Sequence, residues 1–361
     1  MKATTRLRRS RPGFTILELL IASLIMVVVV IGALSMYTKS HKTSADQQQY
    51  VRLQQDVRAS LYFLSRDVRM AGAGLTSDFF SQALEGTDNE NQGGEVQPDR
   101  LKLMGNIDEP FSLPVQNCGG NATQVSFEDY SFEQYPYPDS YYVGKHVLLV
   151  PRPSSGCANA ILRQVTQVIH NPGGTNEKFK FGASQGINPP GGTKPPCAAA
   201  DYDGGSVVLS QVREYWLDTT GNASGLTAGV NGYIGAGTAG VLYQTTNGVH
   251  YPIAQNIENL QFRYNGNFDG DVNGTLDGFQ DWSTAWTAEQ IGRIRQVRIW
   301  ALGRTPARFA SVSGTSAGGT YLYRRPAMAN SPAATSDDWH KRFLLESTSS
   351  IRNLSLDVYN K

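Results

Sequence analysis

The chain has 361 residues, with 32 lysines and arginines against 31 aspartates and glutamates, and a formal net charge of +1. That balance lacks the concentrated basic face of a nucleic-acid binder, so no nucleic-acid partner is expected. The length suffices for a sizeable core. The three cysteines, Cys118, Cys157 and Cys197, match no zinc spacing, which argues against a thiolate metal site.

Residues 1–13 hold Lys2, Arg6, Arg8, Arg9 and Arg11 and no acid, the excess that marks a cytoplasmic side. From Phe14 to Tyr37 the chain is apolar, and Glu18 is its one charge. That stretch can span a bilayer as a helix. A carboxylate in hydrocarbon costs roughly 2.5–3.5 kcal/mol on insertion scales, so Glu18 needs a partner. An ordinary signal peptide has a shorter apolar core, with its cleavage site beyond it. Here the expected cut lies before the core, after Gly13, so the span survives processing. Losing the five basic leader residues leaves 27 bases against 31 acids, a mildly acidic mature protein.

The span runs without a proline into Lys39–Ala71. Tyr50, Leu53, Val57, Leu61, Leu64 and Val68 recur at helical steps and mark one amphipathic face. Gly72 and Gly74 then end the helix. One helix from 14 to 71 is predicted, about 87 Å long at ~1.5 Å per residue. Residues 14–37 form its membrane or filament-core half, and 38–74 its amphipathic continuation packed on a globular domain.

After Leu75 glycine, asparagine, serine, threonine and proline become dense, and 75–361 reads as a β-rich domain. Strands are predicted at 125–127, 147–150, 161–168, 207–216, 257–264, 294–302 and 354–358. Residues 76–99 and 171–205 read as long surface loops. Export places the cysteines in an oxidising compartment, where a disulfide forms readily. An odd count leaves one thiol over, and spacing does not choose the pair among Cys118, Cys157 and Cys197.

The basic leader, the Gly13-Phe14 junction and Glu18, the fifth residue counting from Phe14, together resemble type IV prepilins and pseudopilins. Three body segments resemble the PilW-like minor pilins. These are 144–168, Ile257-Glu258-Asn259-Leu260-Gln261-Phe262-Arg263-Tyr264, and Val297-Arg298-Ile299-Trp300-Ala301-Leu302 with the terminal Ile351-Arg352-Asn353-Leu354. The resemblance implies an α+β, pilin-like fold: a long N-terminal α-helix on an antiparallel β-sheet-rich domain. It implies cleavage of Gly13–Phe14 by a prepilin peptidase, N-methylation of Phe14, and Glu18 as the assembly residue that neutralises a neighbour's N-terminal ammonium. It further implies a minor pilin that primes or caps a type IV pilus, and no enzyme. The implied partners are the major pilin, other minor pilins, a tip adhesin and the inner-membrane assembly platform. The protein would sit single-pass in the inner membrane, N-terminus cytoplasmic, before joining the fibre. A J-type pseudopilin at the tip of a type II secretion pseudopilus shares these features.

Other constellations carry weaker chemistry. Asp269, Asp271, Asn273, Thr275 and Asp277 supply oxygens at calcium-loop spacing, with Gly274 where the sharp turn falls. Gln280 stands where a bidentate glutamate belongs, so the alternative is a polar turn that needs no ion; no cofactor is required, and calcium is the candidate. Gly314-Thr315-Ser316-Ala317-Gly318, followed by Asp337 and His340, matches a serine-hydrolase order. It lacks the flanking strand and helix, which argues against a membrane-tethered exported hydrolase. The five histidines are scattered without metal spacing, and the five tryptophans read as core or half-buried aromatics.

Overall fold

No proline interrupts the N-terminal stretch, and the computed structural model has a single helix there, α1 (Ile16–Met70). The structure describes residues 13–75, 77–88, 98–107, 112–129, 131–134, 137–157, 160–170, 177–182, 188, 197–218, 240–246, 249–270, 274–306, 323–338 and 340–352. The leader up to residue 12 and the predicted strand 354–358 lie outside them. α1 ends where Gly72 and Gly74 adopt φ of +75° and +73°, a left-handed conformation glycine reaches without strain. The Gly72 amide donates to the Met104 carbonyl at 2.9 Å, joining the helix end to the sheet.

The chain divides into two compact units at Val51. In the first, every large apolar residue from Phe14 to Tyr37 is exposed, from 44% at Val30 to 89% at Phe14. In the second, the predicted amphipathic face is the buried one: Leu53, Val57, Leu64 and Val68 are fully buried and Leu61 is 5% exposed.

The strands are β1 (Leu84–Thr87), β2 (Arg100–Gly105), β3 (Ser112–Cys118), β4 (Gln124–Phe127), β5 (His146–Val150), β6 (Ile161–Gln164), β7 (Gln167–Ile169) and β8 (Lys178–Lys180). They continue with β9 (Ser206–Asp218), β10 (Gly240–Thr246), β11 (Val249–Gly266), β12 (Phe279–Gln280), β13 (Ile294–Arg304), β14 (Tyr323–Arg324), β15 (Asp337–Asp338) and β16 (Arg342–Ser350). Fourteen of the described strands join one antiparallel sheet: nine follow the path β16-β13-β11-β10-β9-β3-β4-β8-β7, and β1, β2, β5, β6 and β12 pair off it. β14 and β15 pair separately.

β9 is the hub. Its C-terminal half lies between β10 and β2, and its N-terminal half pairs β5 and β3. The C-terminal half meets α1, whose Asp67 bonds Arg213 and Tyr215. Gly303 of β13 lets the helix come close there: a Cβ at that position would stand 2.5 Å from Leu53 Cδ1 and Val57 Cγ2. The other half carries a second core, in which Phe127 and Phe132 meet Phe179 at ring separations of 5.0 and 5.2 Å. The fold is therefore α+β, a long N-terminal helix followed by a large antiparallel sheet domain, as the resemblance implied.

Both loop predictions change, since 76–99 contains β1 with Leu84 fully buried and 171–205 contains β8 with Phe179 and Tyr202 fully buried. Two strand predictions change as well. The run 161–168 is two strands, because the Val165 amide donates to the Lys145 carbonyl and the Thr166 amide to the Lys180 carbonyl. The run 257–264 is the inner part of an 18-residue strand.

Candidate functional site

The N-terminal motif is built around the first turn of α1. Open space surrounds Gly13, where a Cβ would meet nothing within 4 Å, and Phe14 is 89% exposed. Thr15 and Glu18 form a capping box. The Glu18 amide donates to Thr15 Oγ1 at 3.3 Å, and Glu18 Oε2 accepts from the Thr15 amide at 3.0 Å and its hydroxyl at 3.1 Å. The box satisfies amides that a helix start leaves without internal partners. Its carboxylate also sits at the positive end of the helix dipole. This local role for Glu18 was absent from the sequence reading, although Thr-x-x-Glu before an apolar run is its signal.

The apolar half of α1 presents hydrocarbon on all sides. Every residue of α1 from Ile16 to Ser40 is exposed. A helix apolar all round is stable when lipid or other protein covers it, so this one is compatible with membrane anchoring.

In the second unit α1 is pinned by a buried acid. The Asp67 side chain is fully buried, and its Oδ2 accepts from Arg213 Nη1 and the Tyr215 hydroxyl, both at 2.6 Å, and from Gln244 Nε2 at 3.3 Å. Arg66 Nε donates to the other oxygen at 3.0 Å. Burial, reinforced by the Asp67 charge, holds the Tyr215 hydroxyl far above its ordinary pKa, so it stays a donor. This is a structural anchor joining helix to sheet.

The calcium candidates are only partly placed. Asp271 and Asn273 lie outside the described residues. Asp277 Oδ2 accepts from the amides of Phe268 (2.5 Å) and Asp269 (3.1 Å), so its carboxylate braces the loop backbone. Gly274 has φ +64°, the turn its position calls for, and Gly270 has φ +72° with the Arg293 guanidinium beside it. That guanidinium is itself paired with Glu289.

Cys157 and Cys197 form a disulfide with Cα atoms 6.1 Å apart, and Cys118 is free and buried. Burial, then the Asp203 carboxylate, push the Cys118 thiol up to about 11 against the opposing pull of Arg163. Cys157 and Cys197 reach ligand range with Asp201, but the disulfide consumes both sulfurs. Ser316 and its glycines lie outside the described residues. His340 Nδ1 stands 2.7 Å from the Thr305 carbonyl oxygen, in the place a triad carboxylate would take. Trp216 and Trp300 are buried, Trp282 and Trp286 are half-buried beside a cavity of about 840 Å³, and Trp339 lies outside the described residues.

No family model matches the chain, and no curated protein does. Among solved structures it is similar to a type IV-like pilin from Thermus thermophilus, at 14% identity over 60% of this chain and 90% of that one. The TM-score is 0.20, too slight a likeness to assign a fold or a family.

Proposed function

We propose that the protein is a minor pilin of the PilW-like kind, held in the inner membrane until a prepilin peptidase removes residues 1–13 and then carried into a fibre by α1. The observation that carries this reading is the N-terminal pattern itself: a basic leader, Gly13-Phe14, and one acid in an otherwise uncharged helical span whose apolar surface is exposed on every side. Such a surface needs lipid first and neighbouring helices later. In the fibre, Glu18 would pair with a neighbour's N-terminal ammonium in an apolar core, where close charges interact more strongly than in water. The partners are the peptidase, the major pilin, other minor pilins, a tip adhesin and the assembly platform.

The test is intact mass and N-terminal analysis of membrane-extracted protein, produced with and without a prepilin peptidase. The expected product begins at N-methylated Phe14 only when the peptidase is present. An uncut N-terminus in both samples overturns the reading and leaves a signal-anchored exported protein.

A further inference from the structure

α1 places Arg58, Tyr62, Arg66 and Arg69 at steps of four, four and three, which is one helical face. All four are exposed. With Arg352 and β16 they line a groove of about 570 Å³. Leu345, Glu346 and Ser347 of β16 all border it. Successive strand residues point to opposite faces, so a groove touching three in a row opens onto the edge of the strand.

That edge is open. β16 ends the sheet and bonds β13 along one side, from Arg342 to Ser350. Among the described residues, no strand pairs its other side. The charge is also one-sided. Arg58, Arg69 and Arg352 have no ion-pair partner among the described residues, and Arg66 is held by Asp67. Glu346, the acid of the groove, is already engaged by Trp300 Nε1 at 2.9 Å and Arg298 Nε at 3.5 Å.

We infer that this groove docks an extended acidic segment of another protein. The segment adds to the open edge of β16 through main-chain hydrogen bonds and sets carboxylates against Arg58, Arg69 and Arg352. A row of unfilled backbone donors and acceptors is a template for a peptide. A nucleic acid would meet the arginines but has no strand backbone to complete the ladder. That the segment belongs to a neighbouring fibre subunit rests on the minor-pilin reading; the docking itself does not.

The experiment uses the full chain in detergent micelles and three fluorescent probes: a Glu-Val repeat peptide, a Gln-Val repeat peptide and a thymidine oligonucleotide. The Glu-Val peptide should bind and should slow amide exchange within β16. Arg58→Ala with Arg69→Ala should weaken it about tenfold or more, since each lost contact is a charge-assisted hydrogen bond. Alanine is a good helix former at these exposed sites, so α1 should persist, which far-UV circular dichroism verifies. Arg152→Ala, outside the groove, should leave binding unchanged. Three results would each overturn the proposal: no Glu-Val binding, equal binding by the arginine variant, or equal oligonucleotide binding without protection of β16. An uncut N-terminus would instead remove the fibre subunit as the partner and leave peptide binding intact.

Discussion

Thr15 and Glu18 exchange bonds at the helix start, so one carboxylate has two possible duties, a local cap and an assembly charge. Glutamine separates them, because it can also complete a capping box but carries no charge. Glu18→Gln should leave leader cleavage intact. In the fibre it would leave an N-terminal ammonium unpaired in an apolar core, a loss of about 3–5 kcal/mol. That is enough to cut fibre incorporation by more than about a hundredfold, read as the variant's share of sheared fibres. If Glu18→Gln incorporates like the native protein while Glu18→Ala does not, the cap is the whole role and the charge argument fails. Gly13, Phe14 and Glu18 stand out in the sequence as a motif because their spacing is local. The part Thr15 plays shows only in three dimensions, where its Oγ1 accepts from the Glu18 amide and its own amide donates to the Glu18 carboxylate. Asp67 gave no signal at all: its partners Arg213, Tyr215 and Gln244 are distant in sequence and meet only across the sheet.

At the scale of elements, α1 was read almost to the residue because its apolar face repeats at helical steps and glycines close it. The strands were harder. β16 reads Arg-Phe-Leu-Leu-Glu-Ser-Thr-Ser-Ser; its burial alternates from Glu346 to Ser350, but the more buried positions there are the serines Ser347 and Ser349, so no apolar period of two marks it. β11 is buried on both faces from Ile257 to Gln261, where Gln261 is as hidden as Leu260, so alternation marked only part of it. Two contacts hold α1 on this sheet, the close approach at Gly303 and the Asp67 cluster. Asp67→Ala would strand the Arg213 guanidinium, 5% exposed, without its nearest acid. Removing one partner of a buried pair costs about 3–5 kcal/mol. The variant should therefore unfold at clearly lower urea concentration than native protein, followed by tryptophan fluorescence in micelles. An unchanged midpoint would mean that the helix is held by apolar contact alone.

For the molecule as a whole, the second core around Phe127, Phe132 and Phe179 is the part least visible beforehand. It is assembled from the short strands β3 to β8, which pair across gaps that no local pattern reveals. The cysteine pairing has the same origin. A separation of 40 residues says nothing about proximity until the N-terminal half of β9 gathers these strands. Cys197 packs against the second core, so the disulfide with Cys157 ties down a lobe that α1 does not reach through Asp67. Cross-linking residues that far apart should stabilise the fold by about 4 kcal/mol through loop closure in the unfolded chain. Among the described residues, no tryptophan belongs to that second core, whereas Phe127 of β4 and Phe179 of β8 do. Cys157→Ser with Cys197→Ser should therefore lower the urea midpoint of amide protection in β4 and β8, followed by pulsed hydrogen exchange, more than that of tryptophan fluorescence, which reports the sheet nearer α1. Two transitions that move down together by the same amount would show β9 coupling the two halves into one cooperative unit, and the two-core description would then be geometric only.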